Sequence, residues 1–466
     1  MSEEKLQKKL SPLNVWALAL GCIIGWGAFI MPGEIFLVKA GPFGTAVAMF
    51  AAAIILVIIS INYYYMIKKY PVAGGEFIYV NAAFGKKNAF ICSWFLALCY
   101  LSIVPLNATA LALIFRTVLH DVFVFQFGFH YQVAGYDVYF GEVLLALTAL
   151  FVFAWLSIRG VSVTGKFQTI LVMLLVGGIA VVSIAAFLHP QAHFSNFSPG
   201  FPPTADSHLV AILSILAISP WAFVGFDTIP QAAEEFNFSP VKSLFIMIVA
   251  ILFGAAAYVA LNMITISILP PEFNNWADYI AASKNASGLI NLPTFYSTSL
   301  LLGNVGLFFL SASVIAAILS GLLGFYMATS RLIYAMSRDK VIPAVFSKLH
   351  YKYKTPKNAI LFILGVSIIA PFMGRTVLGW IVDMSSLGAA VGYAYTSIVA
   401  YKYAKNNNNT AVKITGILGF AFAVLFAILL VVPIPSLNIS LGNESYFFLL
   451  IWTVMGYYFY RQNSAN

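Results

Sequence analysis

An all-α polytopic membrane protein of about twelve transmembrane helices is the fold this chain predicts, and three observations carry the prediction. Hydrophobic residues fill 61% of its 466 positions and charged residues only 9%, against about a quarter charged in a soluble domain. The mean hydropathy is +0.91. Apolar runs of about 20 residues, the length at which a helix crosses a hydrocarbon core, recur from one end to the other.

Taken in order, the expected spans lie near 13–38, 42–67, 89–118, 139–158, 167–188, 208–233, 241–269, 297–335, 358–374, 378–401, 412–432 and 446–460. The stretch 297–335 is too long for one perpendicular helix, so it tilts or runs on beyond the membrane. The apolar run after Lys9 continues directly into further spans and reads as a first helix rather than a cleavable leader.

The net charge of +9 is a topology signal, not a nucleic-acid footprint. With both termini in the cytoplasm, all 25 Lys and Arg residues except Lys39, Arg116, Lys284 and Arg375 fall inside. The expectation is a multi-pass protein of the cell membrane with the lipid bilayer around it and no nucleic-acid partner. The segments 119–138, 189–207 and 270–296 are long, poor in Lys and rich in aromatic, Pro and Asn residues, so they face outward. They hold the sequons Asn196-Phe197-Ser198 and Asn285-Ala286-Ser287. The run Asn406 to Asn409 reads as a polar linker.

Several chemistries find no support in the residues. Cys22, Cys92 and Cys99 sit in apolar segments without CxxC or metal-ligand spacing and read as buried, inert thiols. The six His residues are scattered. No cofactor or metal is expected, and no catalytic residues. The spans carry no paired Asp, His-rich or Ser–His arrangement, so the chain is not expected to be an enzyme. A Gly-x-x-x-x-Gly-Lys-Ser/Thr loop is lacking too, which argues against pumping driven by ATP.

Two apolar stretches are interrupted by glycine or proline. The first reads Cys22-Ile23-Ile24-Gly25-Trp26-Gly27-Ala28-Phe29, the second Ile218-Ser219-Pro220-Trp221-Ala222-Phe223-Val224-Gly225-Phe226-Asp227. An interrupted helix exposes N–H and C=O groups that lipid cannot satisfy, so it survives only where protein, water or solute supplies partners. The breaks at Gly25 and Pro220 are about 195 residues apart, room for five spans. Five is odd, so a second unit of the same plan starts on the opposite side of the membrane, as in an inverted repeat. Residues 1–405 then form a core of two five-helix repeats, about 1–190 and 206–405, and 406–466 add two helices. The glycines also fit close helix packing through small residues.

The Gly-x-Ile-Ile-Gly-x-Gly-x-Phe pattern at 21–29 resembles the first-helix signature of the amino acid–polyamine–organocation permeases. Tyr70-Pro71-Val72-Ala73-Gly74-Gly75-Glu76-Phe77-Ile78-Tyr79 is similar to that family's segment between helices two and three. Phe223 to Asp227 with Glu234, Glu235 and Pro240 resembles its sixth-helix region, and Ser330-Arg331, Tyr334-Ala335, Asp339, Pro343 and Thr355-Pro356 its loop after helix eight. The resemblance implies a five-plus-five inverted repeat of the LeuT type, with discontinuous helices one and six around the solute. It also implies a secondary transporter that moves an amino acid or related amine by alternating access. A polyamine or organic-cation carrier, a solute exchanger, a non-transporting sensor and a channel are the other readings.

The breaks themselves suit an amino acid. Gly25 and Gly27 let the backbone leave the helix and approach a ligand. The half-helix from about Ala28 presents unpaired N–H groups and a positive dipole end to a carboxylate. Pro220 removes an N–H and frees carbonyls near Leu216 and Ala217 for an ammonium. By resemblance, Ile23, Gly25, Trp26 and Gly27 contact the carboxylate, and Ile218, Ser219 and Trp221 line the amine and side-chain side. Trp26 departs from the small residue usual between these glycines; it fills the pocket, narrows it or turns toward a neighbouring helix. Trp221 stands where related antiporters place a gating aromatic, and Phe223 is a further gating candidate.

Asp227 is the carboxylate expected within the membrane, where it relays a proton, neutralises a cationic substrate, or caps the second half of helix six. Glu234 and Glu235 fit a gate or a salt bridge to the Arg331 region. Coupling to H+ or Na+ is left open: some proton-coupled relatives carry a Lys in helix five, and the matching position here is Leu175.

Overall fold

The computed structural model describes residues 6–119, 124–284, 286, 288–434 and 440–464. Asn285 and Ser287 of the second sequon lie outside them. Asn196 of the first is described, and its side-chain amide donates to the Ser267 carbonyl at 2.7 Å.

Helix α1, Pro12–Ile23, starts where the sequence places every start signal. Pro12 sits at the first helical position, and Ser11 and Asn14 cap each other's backbone N–H. The helix stops at Ile24. Helical turns resume in α2, Gly27–Met31, pass through a π turn at Pro32–Phe36 and enter α3, Leu37–Lys69, which bends at Gly41 ahead of Pro42. Helix α4, Glu76–Thr117, bends at Gly85. The outer segment after it contains a hairpin, β1 His130–Val133 paired antiparallel with β2 Tyr136–Tyr139, which the reading of this stretch as a plain loop did not foresee.

Helices α5, Phe140–Ile158, and α6, Val161–Leu188, follow. The second interrupted stretch gives α7, His208–Ala222, and the one-turn α8, Thr228–Gln231. Then come α9, Ser243–Ser267, the short α10, Trp276–Ser283, and α11, Pro293–Arg338, bent at Gly303. Helices α12, Lys357–Ser367, α13, Gly374–Asn406, α14, Thr410–Val431, and α15, Asn443–Ser464, complete the chain. Among the described residues, eight helical stretches are long and apolar enough to cross a membrane, and α1 and α7 are shorter apolar helices. The chain is an all-α polytopic membrane protein.

Its surface is distributed as lipid requires. On α6, Ile170, Met173, Leu174, Val181, Ile184 and Phe187 face outward, while Thr164, Gly165, Gln168 and Gly178 face inward. Large apolar residues therefore coat the outside, and small or polar ones pack the helices together. Gly178 abuts Ser313 of α11, Gly324 of α11 abuts Cys22 of α1, and Gly419 of α14 abuts Ser397 of α13. Helix α1 lies in the interior against α6, α9 and α11, with Ala17 to Ile23 all buried.

A layer of charge closes the end of the bundle where α1 begins. Arg331 and Glu235, each 1% exposed, form a two-point pair at 2.8 and 3.1 Å. Arg338 reaches Glu234 at 3.0 Å, and Glu234 also accepts the Leu6 and Ala73 N–H groups at 3.1 Å each. The Lys9 and Leu10 N–H groups both donate to the Glu235 carbonyl at 2.9 Å. The salt bridge expected of Glu234 and Glu235 with the Arg331 region is therefore present. Helix α1 has 12 residues, so this layer lies about 18 Å from the first break.

Removing one partner of a buried ion pair strands the other charge, at about 3–5 kcal/mol. Arg331→Ala should therefore lower the thermal unfolding midpoint in detergent markedly, and the double change Arg331→Met with Glu235→Met should lower it less. A wild-type midpoint for the single variant would show that the pair does not hold this end closed.

Candidate functional site

Each interruption is built by identifiable hydrogen bonds. The carbonyls at the end of α1 are taken up by its own cap and by neighbouring helices. The Leu20 carbonyl accepts the Ile24 N–H at 2.8 Å, Gly21 accepts Ser320 Oγ of α11 at 3.2 Å, and Ile23 accepts Tyr258 Oη of α9 at 3.1 Å. Among the described residues the N–H groups of Trp26 and Gly27 and the carbonyl of Cys22 make no hydrogen bond. A Cβ on Gly25 would meet nothing within 4 Å, whereas one on Gly27 would strike the indole of Trp221.

The second interruption lies later than Pro220 implied. Proline does leave the Leu216 carbonyl without its helical donor, but Ser219 Oγ supplies a replacement at 2.6 Å. Helix α7 consequently runs through Pro220 to Ala222. The chain unwinds over 223–227, and the carbonyls without a partner among the described residues are those of Pro220, Ala222, Phe223 and Val224. Proline alone does not open a helix whose neighbouring hydroxyl can heal the gap.

Gly225 makes the second break possible. Its φ of +151° is open to glycine, and a Cβ there would lie 2.6 Å from the Ile23 N, 2.8 Å from the Ala19 carbonyl and 2.8 Å from Cys22 Cβ. The backbone of one interrupted helix thus rests on the backbone of the other. Asp227 holds the turn in place. Its Oδ1 accepts the Gly225 N–H at 2.7 Å, and its Oδ2 accepts Tyr100 Oη of α4 at 2.8 Å.

Beside the two breaks lies a cavity of about 480 Å³, within the range of small-ligand sites. Trp26, Ile218 and Trp221 line it, together with Met31, Ile35 and Lys39 of the rod after the first break and Arg375, Asp383 and Ser386 of α13. Tyr136 of the hairpin belongs to the wall, so the cavity sits toward the hairpin end, away from the charge layer. The structure therefore brings together Trp26, Ile218 and Trp221, with Gly25 open beside them and Gly27 roofed by Trp221. Trp26 is half-buried and lines the cavity, with Arg375 of α13 over its ring. Ile23, Ser219, Phe223 and Asp227 are buried behind this surface and do not line it.

A second interior carboxylate was not singled out from the sequence. Glu76, the first residue of α4, is fully buried. It accepts Tyr63 Oη at 2.8 Å and Gln231 Nε2 at 2.6 Å. Phe226 packs between Tyr63 and Tyr393, with ring centres 5.5 and 5.3 Å away. The signal was available: Glu76 is an isolated acid between Gly74-Gly75 and the aromatic Phe77 and Tyr79, a setting poor for a solvated surface residue.

With this geometry in place, known proteins can be compared. The amino acid permease family matches the chain over residues 10–456. The chain belongs to the amino acid permease family. The permease is similar to a methylthioribose transporter of Bacillus subtilis (strain 168), 24% identical over 412 residues that cover 86% of this chain and 82% of the relative. It is 25% identical over 486 residues to the branched-chain amino acid permease BcaP of the same organism, covering 100% of this chain and 95% of the relative. To that organism's glutamate/serine transporter AimA it is 25% identical over 496 residues, covering 97% and 88%. By family this permease, a member of the amino acid–polyamine–organocation superfamily, is an amino acid transporter and not an enzyme.

Substitutions at both breaks probe the site's construction. Gly27→Ala should impair uptake more than Gly25→Ala, because the new methyl displaces Trp221, and Trp221→Phe should restore part of the loss; equal uptake by both glycine variants would contradict that packing. Asp227→Ala leaves the Gly225 N–H unmatched, at about 1–3 kcal/mol in thermal unfolding. Asp227→Asn keeps an acceptor for that N–H and should retain uptake with an unchanged pH profile. A displaced profile in Asp227→Asn would make the residue a proton carrier instead of a strut.

Proposed function

We propose that this permease is a secondary transporter that moves an amino acid across the cell membrane by alternating access. The observation that carries the reading is the contact of its two interrupted helices at Gly225 and Ile23, beside the cavity. Among the described residues, free N–H groups at Trp26 and Gly27 suit a carboxylate, and free carbonyls at Pro220, Ala222, Phe223 and Val224 suit an ammonium. Opposite partial charges on neighbouring stretches of backbone match the two ends of a zwitterion.

The substrate surface in this reading comprises Gly25, Trp26, Gly27, Ile218 and Trp221. Ile23, Ser219 and Phe223 support it from behind, and Trp221 covers the solute. The architecture is read as about twelve spans: an inverted five-plus-five core over 1–405, in repeats of about 1–190 and 206–405, with two added helices over 406–466. The spacing of the breaks and their mutual contact support it. The distribution of Lys and Arg supports cytoplasmic termini. With that orientation the cavity faces outward, and the Arg331–Glu235 and Arg338–Glu234 layer seals the cytoplasmic side.

A polyamine or organic-cation carrier requires a carboxylate turned to the solute. Asp227 is committed to Tyr100 and Gly225, and Lys39 and Arg375 line the cavity alongside Asp383, so a zwitterion is favoured. The names of two relatives, for branched-chain amino acids and for glutamate and serine, support the same class. H+ or Na+ gradients are the candidate driving forces.

Reconstituted into liposomes without ATP, the protein should accumulate at least one radiolabelled amino acid under an imposed H+ or Na+ gradient. Gly25→Leu pushes a side chain into the open space beside the break and should abolish that uptake while the protein remains monodisperse in detergent. Normal uptake by Gly25→Leu would remove the break from the transport path.

A further inference from the structure

Arg375 is a charged group for which transport of a simple zwitterion has no use. It lies in the first turn of α13, half-buried, with its guanidinium carbon 4.5 Å from the centre of the Trp26 ring. Nη1 donates to Thr109 Oγ1 at 3.0 Å and to the Leu106 carbonyl at 3.4 Å. Nε and Nη2 make no hydrogen bond among the described residues, and no carboxylate there comes within 4.0 Å of the group. Arginine keeps its charge at any physiological pH, and a partly desolvated cation without an anion is costly.

The surrounding charges do not supply that anion. Glu142, the acid behind Tyr136, is held in a two-point pair by Arg116, whose Nε lies 2.6 Å from Glu142 Oε1. Lys39 adds a second positive group to the cavity wall, Asp383 contributes a negative one on α13, and Glu34 on the rod after the first break is exposed and near enough to attract Arg375, but not within 4.0 Å of it. The free edge of the guanidinium therefore stands over Trp26 at the wall of the cavity. A planar fork of N–H donors fits a carboxylate at two points.

We propose that Arg375 binds an anionic group on the substrate's side chain, so that this permease selects amino acids with an acidic side chain. The inference rests on the amino acid permease reading, in which the α-carboxylate goes to the broken helix one step deeper. Trp26 fixes the plane of the guanidinium by stacking, and Thr109 fixes its rotation by accepting from Nη1. The tryptophan between the two glycines acquires a purpose here: a small residue would leave the guanidinium without a platform.

The test compares uptake of radiolabelled L-glutamate and L-glutamine, matched in shape and different in charge, by proteoliposomes holding the wild type, Arg375→Gln or Arg375→Lys. The wild type should favour glutamate in kcat/KM. Arg375→Gln should lower the glutamate value by about 10- to 100-fold, the range of a lost charge-assisted hydrogen bond, and leave glutamine within about twofold. Arg375→Lys keeps the charge without the fork and should raise KM for glutamate alone. Equal losses for both substrates in Arg375→Gln, or an unchanged KM for glutamate in Arg375→Lys, would overturn the assignment. Wild-type uptake of glutamine without glutamate would refute it while leaving the permease reading intact. Uptake of no amino acid at all would defeat both.

Discussion

The contact between two stretches of main chain, Gly225 on Ile23, is the constraint on which the rest of this structure depends. In a bilayer, an unwound segment must find hydrogen-bond partners inside the protein or cease to exist. Tyr258 and Ser320 of other helices meet carbonyls of the first break, while the second is supported by its own side chains, Asp227 and Ser219. Among the described residues, the N–H groups of Trp26 and Gly27 and the carbonyls of Cys22, Pro220, Ala222, Phe223 and Val224 remain unmatched, and Trp26 lines the cavity. The close approach is possible because position 225 has no side chain and adopts a φ of +151°.

Polarity within the bundle follows from the same economy. The fully buried acids Asp227 and Glu76 are both met by tyrosine hydroxyls, Tyr100 and Tyr63, projected from neighbouring helices. Phe226, one residue from Asp227, wedges between Tyr63 and Tyr393 and links the second break to α3 and α13. The break is therefore a rigid feature, braced from several sides, rather than a loose loop.

The two ends of the bundle differ in kind. At the end where α1 begins, two ion pairs and the N-terminal strand of backbone around Leu10 lock the segment after α8. At the hairpin end, aromatic and basic side chains line an open volume instead. The alternating access proposed here needs such an asymmetry in each of its states. Ion pairs suit a closure that must reopen, since water can solvate the charges when they part, whereas a sealed apolar contact would offer no such return.

The sequence by itself determined that the chain is a multi-pass helical membrane protein, where its apolar stretches fall, that two of them are interrupted, and which family it belongs to. Those properties are written in local composition and spacing: Pro12 and Ser11 start α1, and its helical run ends just before Gly25. It also foresaw the pairing of Glu234 and Glu235 with the Arg331 region at the end of α11, because opposite charges near one membrane face find each other. Only the tertiary structure decided where the second break lies, since Ser219 heals the gap that Pro220 creates and Gly225 opens the next turn. Only the tertiary structure set Glu76 beside Gln231, turned Asp227 inward to Tyr100, and stacked Arg375 on Trp26. Those partners are separated by between 127 and 349 residues of chain (Tyr100 to Asp227, Trp26 to Arg375), and no local pattern records which distant helix will stand opposite a given side chain.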